Sequence, residues 1–161
     1  MKMRKQFLNK IIITVVLLLL SALITATIHA VLASRSPLNA LPSMSVSSNN
    51  SPLPAQHAMI SSYSWRFLFI TKQGVEGPAD AWQYLPAAPV NAMAPLAVEF
   101  SFPCDEVHIS VARGDSTDFV EVGGVLHTPP DPGKYTYRVE ASWGIRGSVL
   151  YYFKIAVGGF E

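Results

Sequence analysis

The feature that most constrains this chain is an uncharged, apolar run at residues 11–33, directly behind a basic leader at residues 1–10. A helix rises about 1.5 Å per residue, so roughly 20 apolar residues cross the ~30 Å hydrocarbon core of a bilayer. Four positive charges precede the run and only Arg35 follows it closely; the four are Lys2, Arg4, Lys5 and Lys10. Because an excess of Lys and Arg marks the cytoplasmic side, the sequence predicts a single-pass cell-membrane protein whose C-terminal part is extracytoplasmic and whose helix contacts membrane lipid.

A cleaved secretory signal has the same polarity, but its apolar core is usually shorter, about 7–15 residues, and ends at a small-residue cleavage site. Two tripeptides, Ile28–Ala30 and Val31–Ala33, offer a signal peptidase residues of this kind. The length of the run favours a retained anchor. Secretion after cleavage stays open as the alternative.

The charges of the chain are segregated. Beyond Ser34 there are 8 basic residues against 11 acidic ones, a net charge of −3. A basic face for nucleic acid is therefore not expected. Cys104 is the only cysteine, so the fold has no intrachain disulfide, and we expect a half-buried thiol without a functional role.

Residues 34–56 are rich in Ser, Pro and Asn, and their hydrophobic residues are scattered rather than periodic. A segment of this composition buries too little surface to offset the entropy of ordering it. The sequence therefore predicts a flexible stalk with an r.m.s. reach of roughly 25 Å. Residues 57–161 are then expected to form one domain.

Strict alternation of apolar and polar residues after the stalk predicts strands with one buried face. Trp65, Phe67 and Phe69 should share such a face. The strands are expected at Ser64–Ile70, Leu96–Phe102, Glu106–Ala112, Tyr135–Trp143 and Tyr151–Val157.

The connections are predicted from glycine and proline. Gly123–Gly124 should join Phe119–Val122 and Val125–His127 as a hairpin, since glycine accepts the positive φ of tight turns. A turn at Gly144–Gly147 should make the last two strands antiparallel neighbours. The prolines of residues 78–95 indicate a loop or an edge segment.

The segment Asp131–Tyr137 resembles the tyrosine corner of immunoglobulin-like domains, in which a Tyr at the start of a late strand bonds back to the preceding turn. Tyr135 would be the corner residue, and Tyr137 would take the core position held by a cysteine in antibody domains. Together with about seven short strands, this predicts an all-β fold, an immunoglobulin-like antiparallel β-sandwich behind a single transmembrane helix.

The domain also resembles small membrane- or lipid-anchored extracytoplasmic domains of Gram-positive bacteria, for which no activity is established. The resemblance covers nearly all of residues 62–157 and supports fold and location more than function. Cysteines that some of those domains carry beside the early tryptophan are absent here. The segments that carry it are Tyr63–Trp65, Ala79–Asp80, Phe100–Phe102, Val107–Ser110, Gly133–Trp143 and Tyr152–Ile155.

Side chains that suggest chemistry are few. The histidines show no metal-ligand spacing and are expected to be exposed or capping; they are His57, His108 and His127. The acidic residues could supply oxygens to calcium, but Gly114–Asp118 has turn composition, which favours a plain turn; they are Asp105, Glu106, Asp115, Asp118 and Glu121.

Two aromatic residues in the proline-rich loop, Trp82 and Tyr84, are the candidate partner contacts. They could bind a protein or a glycan outside the membrane. Alternatively, the loop folds over the core and Trp82 covers one end of the sandwich.

The sequence thus predicts a non-catalytic, membrane-anchored binding or interaction module with no catalytic residues, metal or cofactor. One alternative is an accessory or inhibitory subunit of a membrane-associated enzyme or transporter. A small hydrolase or metal-dependent enzyme is the third and least favoured hypothesis.

Overall fold

The computed structural model describes residues 2–158, with side chains from residue 10 onward. Two compact units emerge: residues 2–40 with Phe67–Thr71, and Leu41–Arg66 with residues 72–158. Two helices come first, α1 (Lys2–Arg35) and α2 (Pro37–Ala40). The strands are β1 (Met44–Ser48), β2 (Ser51–Pro52), β3 (Ala58–Phe67), β4 (Ile70–Val75), β5 (Ala88–Val90), β6 (Leu96–Phe100), β7 (Glu106–Arg113), β8 (Val120–Glu121), β9 (Gly133–Ser142) and β10 (Gly147–Val157).

Helix α1 contains the predicted apolar run. Its segment Lys10–Arg35 reaches a mean hydropathy of 2.8 and is long and apolar enough to cross a membrane. Side chains from Lys10 to His29 are exposed, and Ala30 is the first that is half-buried. The helix therefore has an apolar surface that the other described residues do not cover.

The large sheet has the strand order β4-β3-β10-β9-β7-β8. The short strand β5 pairs in parallel with the last residues of β10, beyond those that pair with β3. The predicted antiparallel pairing of the last two long strands is confirmed, with Phe153 opposite Tyr137. Gly147 at their connection has φ +125°, and a Cβ there would lie 1.9 Å from the Ser64 carbonyl oxygen. Only glycine therefore lets β3 pass this close to the turn.

The small sheet has the order β2-β1-β6, and β1 pairs with β6 over Met44–Ser48. The stalk prediction for residues 34–56 is therefore wrong over β1 and β2. Val46 is buried, and the carbonyl of Pro42 accepts a 2.6 Å hydrogen bond from the Tyr151 hydroxyl. A strand with only two apolar residues, Met44 and Val46, lacks a visible pattern, but pairing with a neighbour supplies the backbone bonds that composition alone does not reveal.

The two sheets pack face to face through aromatic rings, giving a sandwich-like, mostly β fold with 43% strand. Phe100 of the small sheet contacts Trp143 and Tyr151 of the large one, at ring-centroid distances of 5.5 and 5.7 Å. Tyr137 stacks on Phe153 at 4.6 Å, in the core as predicted. The hydrogen bond expected of the tyrosine corner is present, since the Tyr135 hydroxyl donates to the Asp131 carbonyl at 2.9 Å.

One predicted strand and one predicted hairpin are wrong. The strand predicted at Ser64–Ile70 breaks into a β3–β4 hairpin, and Phe69 lies exposed in its turn instead of sharing a buried face with Trp65 and Phe67. The segments beside Gly123–Gly124 do not pair with each other. Val120–Glu121 pairs with β7 of the large sheet, whereas His127 bridges to Pro95 next to β6. The two glycines therefore carry the chain from one sheet towards the other.

Candidate functional site

The large sheet has an outer face, turned away from the small sheet. Since Tyr151 and Phe153 point into the core, the alternating residues of β10 point outward. Tyr152, Lys154 and Ala156 are nevertheless buried, whereas Leu150 is half-buried and Ser148 is exposed. One end of the outer face is thus covered by other parts of the chain and the other end is open.

Trp82 covers the closed end. Its ring stacks on Tyr152 at 5.4 Å with an interplanar angle of 15°, and it meets Phe119 edge-on at 5.7 Å. Trp82 is 5% exposed. Its short 3₁₀ helix, Ala81–Tyr84, and the segment that follows β7 together form a second apolar layer on the sheet.

Lys154 fastens both covering segments. Its Nζ donates to the Gln83 carbonyl at 2.7 Å and to Asp115 Oδ1 at 2.9 Å, and the residue is 3% exposed. The hydrogen bond and charge of Lys154 lower the pKa of Asp115 below its ordinary value. A buried ammonium needs such partners because an unpaired charge is costly to desolvate.

The open end forms a groove of about 560 Å³ between β4, β3, β10 and β9, which we name the serine groove. Serine hydroxyls from two neighbouring strands lie along it, with Leu150 and Val75 as its apolar side chains. Its lining is Ser62, Tyr63, Ser64, Gln73, Gly74, Val75, Arg138, Glu140, Ser148, Val149 and Leu150.

The serine groove carries uncharged hydrogen-bonding groups and one ion pair. Gln73 Nε2 lies 3.5 Å from Ser64 Oγ, and Arg138 Nη2 donates to Glu140. Arg138 Nε is shielded from solvent without a hydrogen-bond partner among the described residues. The lining contains no His, Cys or Asp, and its one carboxylate is engaged by an arginine. These groups are suited to binding a neutral polar ligand rather than to activating a nucleophile.

The predicted partner contacts separate in the structure. Trp82 is buried in the closed end and cannot touch a partner, which agrees with the alternative in which it covers the core. Tyr84, 79% exposed, remains accessible. Neither residue lines the serine groove.

The predicted ionisable candidates are spread over the domain. His57 is buried rather than exposed, and its Nδ1 lies 2.7 Å from the Pro86 carbonyl oxygen, a contact of the capping kind. His108 is exposed between Glu106 at 3.0 Å and Glu121 at 3.2 Å, and these carboxylates raise its pKa. Within residues 2–158 no three His, Cys, Asp or Glu side chains are placed to hold a metal ion together. Cys104 is half-buried and free.

The alternation within the strand predicted at Tyr135–Trp143 indicates a polar face, but nothing in the sequence marks the groove. The groove depends on β4, which packs beside β3 only because the chain turns at Leu68–Phe69. No glycine or asparagine marks that turn. Comparison of the chain with protein-family models, with curated proteins and with solved structures found no match.

Proposed function

We propose that this chain is a single-pass membrane protein that presents a non-catalytic β-sandwich outside the membrane, and that the serine groove binds a neutral, hydroxyl-rich ligand such as a glycan. The groove carries the proposal. It is open, built on paired strands, and lined by hydroxyl, amide and paired ionic groups. Such a set matches the donors and acceptors of a sugar, while the side chains of Leu150 and Val75 offer an apolar surface.

The membrane location draws support from α1. Its exposed part, Lys10–His29, spans about 30 Å at 1.5 Å per residue, which equals the thickness of a hydrocarbon core. This exceeds the apolar core of a cleaved signal, about 7–15 residues. The basic leader favours a cytoplasmic N-terminus and an extracytoplasmic domain.

An immunoglobulin-like classification of the sandwich is part of the proposal. The order β8-β7-β9-β10 corresponds to the C′-C-F-G strands of a variable-type domain, with Tyr135 at the start of the F strand. Strand β6 then corresponds to strand B of the opposite sheet. The β3–β4 hairpin at the β10 edge is an addition to that plan, and it forms one wall of the serine groove.

Ligand binding is tested on the full chain in detergent micelles, with neutral oligosaccharides that include N-acetylglucosamine oligomers as probes. We expect a saturable interaction by calorimetry, with the sugar recovered unchanged. Ser148→Trp, which fills the groove, should abolish it. Ile145→Trp, at an exposed site outside the groove lining, is the matched control and should bind normally. Absence of binding, or binding that survives Ser148→Trp, would contradict the proposal.

The side of the membrane is tested separately. Protease added to intact cells should degrade the sandwich while the leader stays protected. A sandwich that resists protease until the cells are permeabilised would overturn the extracytoplasmic placement.

The accessory-subunit hypothesis is favoured by one observation, the edge position of β4. Its outer side has no partner strand in the large sheet, and Val75 is exposed there. A protein partner could add a strand along this edge. Crosslinking in intact cells would then capture a stoichiometric membrane protein, and Thr71→Pro, in the same strand but outside the groove lining, should remove it without affecting sugar binding.

A further inference from the structure

The turn of the β3–β4 hairpin exposes two large apolar side chains. Phe69 is 72% exposed and Leu68 is 42% exposed, and Leu68 has φ +57°. Turns of this kind usually hold Gly, Asn or Asp, which tolerate positive φ and favour water. Leu68 costs backbone strain at this φ, and the exposed surface of Leu68 and Phe69 contributes little to folding. Folding therefore does not explain these residues.

Basic side chains flank the apolar turn. Arg66 lies before it and Lys72 after it, both exposed, and the stretch from Arg66 to Val75 contains no acidic residue. An apolar tip between two cations matches the boundary of a bilayer, where acyl chains lie beneath phosphate-bearing headgroups. We name residues 66–72 the hairpin tip.

The turn also belongs to the unit that holds the apolar helix. Phe67–Thr71 forms one compact unit with residues 2–40. Among residues 10–40, side chains up to His29 are exposed and those of Ala30 and Val31 are half-buried. Burial within this unit therefore begins beyond His29, where a helix that entered the hydrocarbon core at Lys10 would leave it after about 30 Å.

We infer that the hairpin tip inserts Leu68 and Phe69 into the outer interfacial layer of the bilayer that α1 spans. The depth is that of an interfacial element, about 5–10 Å below the headgroups. Arg66 and Lys72 stay at the level of the lipid phosphates. This inference rests on the proposed membrane span, and it gives the protein a second membrane contact instead of a long flexible stalk.

Spin labelling of the full chain in lipid nanodiscs that contain anionic lipid tests the inference. In a Cys104→Ser background, single cysteines replace Phe69, Val125 and Leu18, and each carries a nitroxide. Val125 is the aqueous control because it is 77% exposed on a connection between strands, and Leu18 reports on the span. Collision with oxygen, which concentrates in lipid, is compared with collision with a water-soluble nickel complex.

We expect the label at Phe69 to favour oxygen over nickel several-fold more than the label at Val125. A nickel accessibility equal to that of Val125 would overturn the inference. Protection from both reagents would also overturn it, because the tip would then contact protein. The Leu18 label separates the two proposals, since its exposure to nickel would refute the span itself, whereas a lipid-embedded Leu18 with an aqueous Phe69 would refute only the tip.

Discussion

The two ends of the outer face belong to the same strands but differ in what covers them. At the closed end, Thr136 and Lys154 face each other across β9 and β10 beneath Trp82 and Asp115. At the open end, Glu140 and Leu150 face each other in the same register, with Ser148 beyond them and no covering segment. The outward side chains of the paired strands β9 and β10 thus run from a buried layer at one end into an exposed groove at the other.

The difference shows that alternation within a strand does not by itself fix burial. An outward position becomes core when a neighbouring loop has an aromatic residue to place over it, as Trp82 does over Tyr152. Where no loop returns, most outward positions are serines and other polar residues, with Leu150 half-buried among them. The groove is therefore the part of the outer face that the described chain leaves open, and in the proposed function a ligand occupies it.

The largest expected effect is at the closed end. Trp82→Ala removes the ring that contacts Tyr152 and Phe119, and we expect a loss of about 3–5 kcal/mol in the free energy of unfolding. Tyr84→Ala, two residues away and exposed, should change it by less than about 0.5 kcal/mol. Urea denaturation followed by circular dichroism measures both. Equal effects would mean that the 3₁₀ helix does not cover the sheet.

The ion pair of the closed end should give the next largest effect. Asp115→Ala leaves the buried Lys154 with only the Gln83 carbonyl, so Tm should fall by a few degrees. Adding Lys154→Met should recover part of this loss, because the buried charge is removed and its stem is kept. A double variant less stable than Asp115→Ala alone would contradict this account.

The ion pair between Asp115 and Lys154 should also make the stability of the fold depend on pH in acid. Because the folded pKa of Asp115 is lowered from 3.8, the pair stabilises the fold above that value, and this stabilisation is lost as the pH falls through the folded pKa. The difference in Tm between wild type and Asp115→Ala should therefore be full at pH 7 and shrink below about pH 4. A difference that stays constant down to pH 2 would show that the ion pair is not its cause.

Removing a hydroxyl group should also destabilise the fold more at the closed end than at the open end, but by a smaller amount. Thr136 is fully buried, and its Oγ1 donates to the Gly114 carbonyl at 3.3 Å. Thr136→Val keeps the shape and removes this bond, so it should cost about 1 kcal/mol. Ser148→Ala in the groove should cost less than about 0.5 kcal/mol. Thermal denaturation of the two variants compares them directly.

The sequence predicted what depends on local pattern. The apolar helix, the β9–β10 pair and the bond made by Tyr135 each follow from neighbours in the chain, through hydropathy, alternation or turn chemistry. Strand β1 was missed because its stability comes from pairing with β6, about fifty residues away. The burial of Lys154 was missed for a similar reason, since its partners Gln83 and Asp115 lie on distant loops. The serine groove could not be predicted from local pattern alone, because it combines the alternation within its strands with the pairing of β3 and β10, which are distant in the chain.

The smallest effect concerns His108, exposed on β7 near the open end. Glu121 and Glu106 accept from its two ring nitrogens and raise its pKa above 6.5. Because the folded pKa is raised, the stabilisation is complete below the unfolded value and is lost as the pH rises through the folded one. An NMR titration of the imidazole should show the raised pKa in the wild type and a value near 6.5 in the Glu106→Gln/Glu121→Gln variant. Since exposed ion pairs contribute little, the stability of the two proteins should be nearly equal at pH 8, and a large difference there would mean that this cluster is more than a surface contact.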